Sequence, residues 1–324
     1  MTAGTAGQKR AMRILLTGAR GKVGAAAVAT LHDAGHDVTA LDLAPAVHEA
    51  AEPDAPAYLQ ADLTEAGDAF AIVRGHDAVV HAAAIPDPTS NAPHTVFRNN
   101  LMAVFNTLEA AIRFGVPRFV NISSETVPGF FFPERPWLPD YLPVDEQHPI
   151  RPQDPYATAK HFGEQLMDGA VRRSDITCVS IRPSWVQWEG NYELNIGPWL
   201  REPAVSEGFW AYIDVYDLAD ALLLAAERDT PGHEVVYIAS PDNHANRPLA
   251  ELVRHHHGDA IELRELDRED ASGISIRKAR ELLGYDPSRS WRDYLTEDGV
   301  LRPEAAQRVE RGETAVQRGR ALTV

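Results

Sequence analysis

One cysteine stands among 324 residues, Cys178 in the apolar run ITCVSI, so an internal disulfide and a cysteine-based zinc site are both excluded. A reduced, cytoplasmic setting is the expectation that follows. Basic residues are also in short supply: 31 Lys and Arg face 47 Asp and Glu, a formal charge of −16. That balance excludes a broad phosphate-binding surface for nucleic acid and requires any anionic ligand to be met locally. No hydrophobic run approaches the length of a membrane span, so no membrane partner is expected. The opening MTAGTAGQKRAM lacks a long apolar core and a cleavage-like pattern, and residues 1–11 are expected to form a flexible tail. Metal-ligating clusters are thin as well. HHHGD at 255–259 is the one candidate, but consecutive side chains on a helix fan out rather than converge, so no metal is expected. What the chain does have is 44% hydrophobic residues, enough for one large α/β domain or a nucleotide domain carrying a small second lobe.

Short β-rich runs alternate with helical stretches. The strands read RILLT at 13–17, DVTALD at 37–42, DAVVHAAA at 77–84, RFVNISS at 118–124, TCVSIRP at 177–183 and EVVYIAS at 234–240. Helices are expected near 22–34, 64–74, 94–114, 155–173 and 216–228, where apolar residues recur at helical spacing. This alternation predicts an α/β fold with a doubly wound parallel sheet. Residues 126–155 carry many prolines, which suit neither helix interiors nor central strands, and are expected to form a long ordered loop. Its aromatics, Phe130, Phe131, Phe132, Trp137 and Tyr141, either pin the loop to the body or line a pocket.

The first chemical signal is ILLTGARGKVGAAAV. Gly18, Gly21 and Gly24 follow a strand and open a helix, so the backbone of Gly18, Ala19, Arg20, Gly21, Lys22, Val23 and Gly24 can turn tightly beneath a pyrophosphate. Asp42 ends the next strand 18 residues after Gly24, where a carboxylate can bond the ribose hydroxyls of a dinucleotide. It would repel a 2′-phosphate, which favours NAD over NADP, although Arg20 and Lys22 could offset that repulsion. The alternative is a structural glycine turn with Asp42 as a cap. ADL at 61–63 places Asp62 and Leu63 near a strand end where adenine edges are met, and HAAA at 81–84 offers His81, Ala82 and Ala83 as small or flat surfaces against a cofactor. Further on, Tyr156 and Lys160 lie four apart in DPYATAKHFGEQ, on one face of a helix that opens behind Pro155. A free phenol has a pKa near ~10, so its use as a base at neutral pH needs about three units, roughly 4 kcal/mol, of preference for the phenolate. A lysine one turn away can contribute to that preference.

TGAxGxxG near the start, Asp42, Asp62, HAAA, the asparagines at 99 and 100, ISSE at 122–125, YxxxK at 156–160 and IRPSWV at 181–186 together resemble the extended short-chain dehydrogenase/reductase family, its NAD-dependent sugar epimerase/dehydratase group. The similarity runs from about residue 12 to about 295. It implies a seven-stranded Rossmann sheet with a small C-terminal substrate-binding lobe, and NAD as cofactor. In that frame 12–183 is the NAD-binding core, 184–302 the substrate lobe interleaved with the last strands and helices, and 303–324 a C-terminal tail. The resemblance further implies that Tyr156 takes a proton from a substrate hydroxyl while hydride leaves the same carbon, that Lys160 also holds the nicotinamide ribose, and that Ser124 bonds the reacting oxygen. Asn100 is implied as a supporting residue near the cofactor, with Asn99 as the adjacent candidate, and Pro183 joins the cofactor set. Glu125 and Thr126, beside Ser124, are implied on the substrate side.

Two activities fit this frame. Only 30 residues separate Pro183 from Asp214, a short span for a nucleotide-sugar lobe, and EGFWAYIDVYD has Trp210 and Ala211 where the family usually shows an arginine that meets phosphate. This favours a free sugar or sugar acid, as in the similar uronate and aldose dehydrogenases, with net production of NADH. A uronate carboxylate would have Arg182, Arg151 or Arg201 as its candidate partner. Trp185, Trp188 and Asn191, in the strip WVQWEGNYELN, suit a polyhydroxylated ring. The alternative is a nucleotide-sugar epimerase or dehydratase of the UDP-glucose 4-epimerase kind, which returns the hydride; a third class, a nucleotide-sensing protein without turnover, has no need of the phenol. A homodimer through helices 94–114 and 155–173 is permitted by their apolar faces.

Overall fold

The computed structural model describes residues 10–45, 55–314 and 316; residues 1–9 of the expected tail, with 315 and 317–324 at the other end, lie outside the described residues. Along the chain run β1 (Arg13–Thr17), α1 (Lys22–Asp33), β2 (Asp37–Asp42), β3 (Ala57–Gln60), α2 (Ala66–Ile72), β4 (Ala78–His81), α3 (Pro93–Phe114) and β5 (Arg118–Ile122). After the short β6 (Tyr141–Leu142) come α4 (Pro155–Arg173), β7 (Thr177–Pro183), β8 (Val186–Gln187), α5 (Tyr192–Asn195), α6 (Gly197–Arg201), β9 (Ile213–Asp214), α7 (Val215–Glu227) and β10 (His233–Ile238). The chain ends with α8 (Leu249–His257), β11 (Glu262–Leu263), α9 (Arg277–Leu283) and α10 (Pro303–Glu310).

Seven strands form one sheet in the order β10-β7-β5-β4-β1-β2-β3, every neighbouring pair parallel. The doubly wound parallel sheet expected from the alternation is therefore present. The chain moves outward from β1 through β2 to β3, then returns to the other side of β1 with β4, and the crevice at this reversal is where such folds bind ligands.

Strand alternation sorts the core into two layers. Leu15, Val79, Phe119 and Cys178 point to the side covered by α2, α3 and α4, whereas Ile14, Leu16, Val80, Val120, Val179 and Ile181 point to the side of α1 and α7. β1, β4, β5 and β7 are thus apolar on both faces, as a sheet with helices on both sides requires. Cys178 is fully buried, and burial pushes its thiol up to about 12, so it behaves as a small hydrophobe. A separate cluster of Tyr192, Ile196, Leu200, Tyr212, Trp291, Tyr294 and Leu295 joins the segments after β7 to the C-terminal part.

The proline-rich stretch is ordered by its aromatics. Phe130 is buried and packs edge-on against Trp137, His148 and Phe209, and the Trp137 indole N–H donates to Gly129 O at 2.8 Å. Tyr141 and Leu142 pair with Glu262 and Leu263 of β11. Phe130 and Tyr141 therefore pin the loop to the body, while Phe132 stays 44% exposed.

Candidate active site

The glycine turn is close-packed. Gly18 has φ +71°, and a Cβ there would lie 2.7 Å from Ala82 C and Ala83 N; a Cβ on Gly24 would lie 2.0 Å from Gly18 O. Only glycine fits either place, which presses the start of α1 against the loop and the loop against the end of β4. The helix has Gly21 as N-cap with no side-chain cap bond, and the N-terminus of a helix opened by a glycine turn is a setting suited to a pyrophosphate. Ala19 N–H donates to Leu41 O at 3.0 Å, tying the loop to β2. At the end of that strand Asp42 accepts from the Arg20 amide at 2.9 Å and the Ala44 amide at 3.1 Å. Those two bonds leave carboxylate lone pairs for ribose hydroxyls. The Arg20 guanidinium is engaged just beyond this strand, donating to Pro45 O at 2.7 Å. These features fit the adenosine and diphosphate of NAD.

Asp62 accepts from the amide and hydroxyl of Thr64, and the Leu63 side chain lies in the core while its carbonyl accepts from Asn106. At the end of β4, Thr17 Oγ1 accepts from the Ala83 amide and lies 3.0 Å from His81 Nδ1. His81 is buried, and burial with the nearby Lys160 ammonium pushes it down to about 3, so it is a neutral ring. Asn100 clamps the backbone beyond this strand: its amide oxygen accepts from Ile85 N and its amide nitrogen donates to Ile85 O. Asn99 donates to Asn100 Oδ1 at 3.2 Å.

Tyr156 and Lys160 sit in the first turns of α4, both buried. Asp154 is the N-cap, accepting from the Tyr156 and Ala157 amides at 2.8 Å each, and Pro155 follows at the first helical position. The Asp-Pro-Tyr pattern is a helix-start signal, yet Asp154 was not among the expected site residues. The Lys160 ammonium donates to Ile122 O at 2.6 Å and lies 5.7 Å from the Tyr156 ring centroid. Burial pushes Lys160 down to about 8, opposed by Glu164. Tyr156 moves the other way, up to about 12: burial is the main cause, Asp154, Glu125 and Asp87 add to it, and the Ser124 hydroxyl opposes it. Burial therefore favours the protonated phenol, and a cation bound beside it would lower its pKa.

Ser124 Oγ accepts from Thr126 N at 3.1 Å and from Thr126 Oγ1 at 3.0 Å, which fixes the hydroxyl. Glu125, between them, is buried beside Ser184 and the Trp185 backbone. Pro183 accepts from the Glu125 amide and ends β7 against Ile238. Beneath lies a buried network that the sequence reading did not identify. Glu164 receives two bonds from Arg182, at 2.8 and 2.7 Å, and one from Ser123 at 2.6 Å.

The substrate-side residues are divided. Trp185 is 38% exposed and stands edge-on to the His244 ring. Trp188 instead reaches the glycine turn, with the Lys22 ammonium 4.0 Å from its ring centroid. Asn191 accepts from the Trp188 amide, and its buried Nδ2 has no partner. All three arginines considered for a sugar carboxylate are engaged: Arg182 with Glu164 and Tyr237, Arg151 with Asp140, and Arg201 with the carbonyls of Asp298 and Gly299. Trp210 is fully buried, donates to Ala204 O, and packs near His256 and His257. Those histidines thus face aromatic surface. Two open clefts of about 340 and 490 Å³ in the C-terminal part share Pro241, Arg268 and Pro287, and none of the residues above lines either. No helix among the described residues is long and apolar enough to cross a membrane.

Residues 14–195 match the family described as NAD dependent epimerase/dehydratase. UDP-glucose 4-epimerase of Corynebacterium glutamicum is 23% identical over 320 residues, covering 89% of this chain and 94% of that protein. Uronate dehydrogenase of Pseudomonas syringae pv. tomato is 29% identical over 228 residues, covering 69% of this chain and 73% of that protein. L-arabinose 1-dehydrogenase (NAD(P)(+)) of Haloferax volcanii is 31% identical over 182 residues, covering 54% of this chain and 67% of that protein.

Proposed function

Since the chain belongs to the NAD-dependent epimerase/dehydratase family of enzymes, we propose that it is a dehydrogenase that oxidises a hydroxyl of a free sugar, with NAD as the hydride acceptor. The observation that carries this reading is Trp210. Its indole is wholly buried where the family usually shows a phosphate-binding arginine, so that usual contact to a nucleotide diphosphate is missing. The uronate and L-arabinose dehydrogenases similar to this chain act, by their names, on sugars without a nucleotide.

The chain's own residues account for the proton. Asp154 fixes the start of α4 and so aims Tyr156. Ser124, held by Thr126, orients the substrate hydroxyl towards the phenol oxygen. In its phenolate form Tyr156 takes the hydroxyl proton as the carbon–oxygen double bond forms, and later releases that proton to solvent. Bound NAD supplies the acceptor for the hydride lost from the same carbon. Lys160, anchored to Ile122 O, keeps a positive charge on this side of the phenol. Glu164 and Arg182 hold the floor of the site.

A second reading, a nucleotide-sugar epimerase or dehydratase, is favoured by the length of the similarity to UDP-glucose 4-epimerase, 89% of this chain against 69% and 54% for the two dehydrogenases. A sugar deuterated at the oxidised carbon separates the two. Deuterium recovered in free reduced nicotinamide supports the dehydrogenase; deuterium retained in an epimerised or dehydrated sugar nucleotide, with no free reduced cofactor, refutes it.

A further inference from the structure

The strip around Trp188 suits a sugar ring, yet the Trp188 indole stands against the glycine turn, with the Lys22 ammonium 4.0 Å from its ring centroid. Lys22 is the first residue of α1, directly behind the Gly21 cap, so its side chain leaves the backbone where the turn suits a pyrophosphate. The indole is set in place from both sides. β8 ends one residue before it, paired with β9, and Asn191 Oδ1 accepts from the Trp188 amide at 2.8 Å. Next to it Glu189, 4% exposed, accepts from Arg308 of α10 at 2.7 Å and from the Tyr216 hydroxyl of α7 at 3.2 Å. Gly190 leaves the room, since a Cβ there would lie 3.3 Å from the Trp188 indole nitrogen.

Position along the sheet decides which part of a dinucleotide the ammonium meets. Asp42 ends β2 on one side of β1, and the Arg20 guanidinium is engaged just beyond it at Pro45 O. Trp188 follows β7, which lies on the other side of β1. Lys22 is therefore drawn away from the adenosine end, and its charge is not set to offset the repulsion between Asp42 and a 2′-phosphate. An indole face attracts a cation through its quadrupole and brings no counter-charge of its own, so seating on Trp188 orients the ammonium without cancelling the charge that an anion meets. We propose that Lys22, steered by Trp188, is the side-chain cation for the cofactor's diphosphate, and that Trp188 is a cofactor-side residue rather than a sugar-binding one. In a chain of formal charge −16, the pair supplies positive charge locally where an anionic ligand needs it. The assignment goes beyond the dehydrogenase reading and holds equally for an epimerase, since both bind the same diphosphate.

The test is calorimetric titration of the full chain with NAD and with NADP, without sugar. Lys22→Met should weaken NAD about 10- to 100-fold, as loss of a charge-assisted bond does, and Trp188→Leu about 3- to 30-fold. Trp188→Phe, which keeps an aromatic face, should stay close to the native chain. The double variant Lys22→Met/Trp188→Leu should bind no more weakly than Lys22→Met, because the indole acts through the ammonium. NADP carries the same diphosphate and should lose by the same factor as NAD in Lys22→Met. Because Lys22 is exposed, that variant should melt within about 2 °C of the native chain in the absence of cofactor. Equal NAD affinity in the native chain and Lys22→Met overturns the assignment, as does a loss confined to NADP, which would put the ammonium at the 2′-phosphate. A double variant weaker than Lys22→Met by the full Trp188→Leu factor overturns the steering role of Trp188; if Trp188→Leu does not fold, a Trp188→Phe affinity as low as that of Lys22→Met overturns it equally. None of these outcomes depends on sugar turnover, so failure here leaves the dehydrogenase reading standing.

Discussion

Replacing Glu164 by Gln removes the carboxylate that receives Arg182 at 2.8 and 2.7 Å, in a place where both side chains are 3% exposed. The amide oxygen of glutamine can still accept one bond from Ser123 or Arg182, but its NH2 then faces guanidinium donors, and the buried arginine loses its carboxylate counter-charge and keeps at most that one bond beside the Tyr237 hydroxyl at 3.2 Å. Breaking a buried pair in this way costs about 3–5 kcal/mol, a large share of the roughly 5–15 kcal/mol that separates folded from unfolded protein. For a chain of 324 residues the melting temperature should fall by about 4–7 °C. The double variant Glu164→Leu/Arg182→Met should recover much of the loss, because the cost lies in the stranded charge rather than in a large net worth of the pair. The loss should depend on pH. Burial alone would raise the Glu164 carboxyl, but the Arg182 and Ser123 bonds and the Arg182 charge outweigh it and hold the group at about 2 against an ordinary 4.5. A depressed carboxyl stabilises the fold fully above its unfolded value and loses that contribution as pH falls towards its folded one. The gap between native and Glu164→Gln stability should therefore be widest above about pH 4.5 and narrow towards pH 2. Chemical denaturation across pH measures it. A difference below about 1 kcal/mol at pH 7, or one that widens in acid, would refute the reasoning.

Tyr156→Phe should retain NAD binding and lose about 100- to 10,000-fold in turnover, checked by initial rates with cofactor affinity measured separately. In the native chain the Tyr156 phenol, pushed up to about 12 by burial and nearby acidic groups, should ionise at lower pH once NAD is bound; ultraviolet titration against Tyr156→Phe reads this shift. Gly24→Ala places a methyl 2.0 Å from Gly18 O, so it should cost about 1–3 kcal/mol of stability and weaken NAD binding more than tenfold, seen by thermal melting and titration. Asp42→Ser should narrow the preference for NAD over NADP by removing the charge that repels a 2′-phosphate, measured as the ratio of kcat/KM for the two cofactors.

The central architecture was open to sequence reading because its physical signals are local. β2, β7 and α4 run over the residues expected, 37–42, 177–183 and 155–173, where apolar runs or helical spacing meet clear boundaries. β3 gave no such signal: Ala57–Gln60 lies at the sheet edge with three of its four residues exposed, and its membership in the sheet came only from the family resemblance. The four- and five-residue helices α5 and α6 were likewise missed, since they depend on packing within the cluster around Tyr192 rather than on their own periodicity. The glycine turn and the Tyr156–Lys160 pair could be named from their spacing, whereas Ser124 came only from the family resemblance. The commitments of Arg182, Arg151 and Arg201 could not, because their partners at Glu164, Asp140 and Asp298 are identified only by the fold. Nor did spacing show that Trp188 would turn to Lys22.

The most direct test of the proposed activity is the stoichiometry of reduced cofactor: the moles of NADH formed per mole of protein with excess NAD and a free sugar. Many equivalents, abolished in Tyr156→Phe, are the result expected of a dehydrogenase that releases its cofactor after each turnover. Reduction that stops at or below one equivalent with every free sugar, while a sugar nucleotide is epimerised or dehydrated, would contradict it.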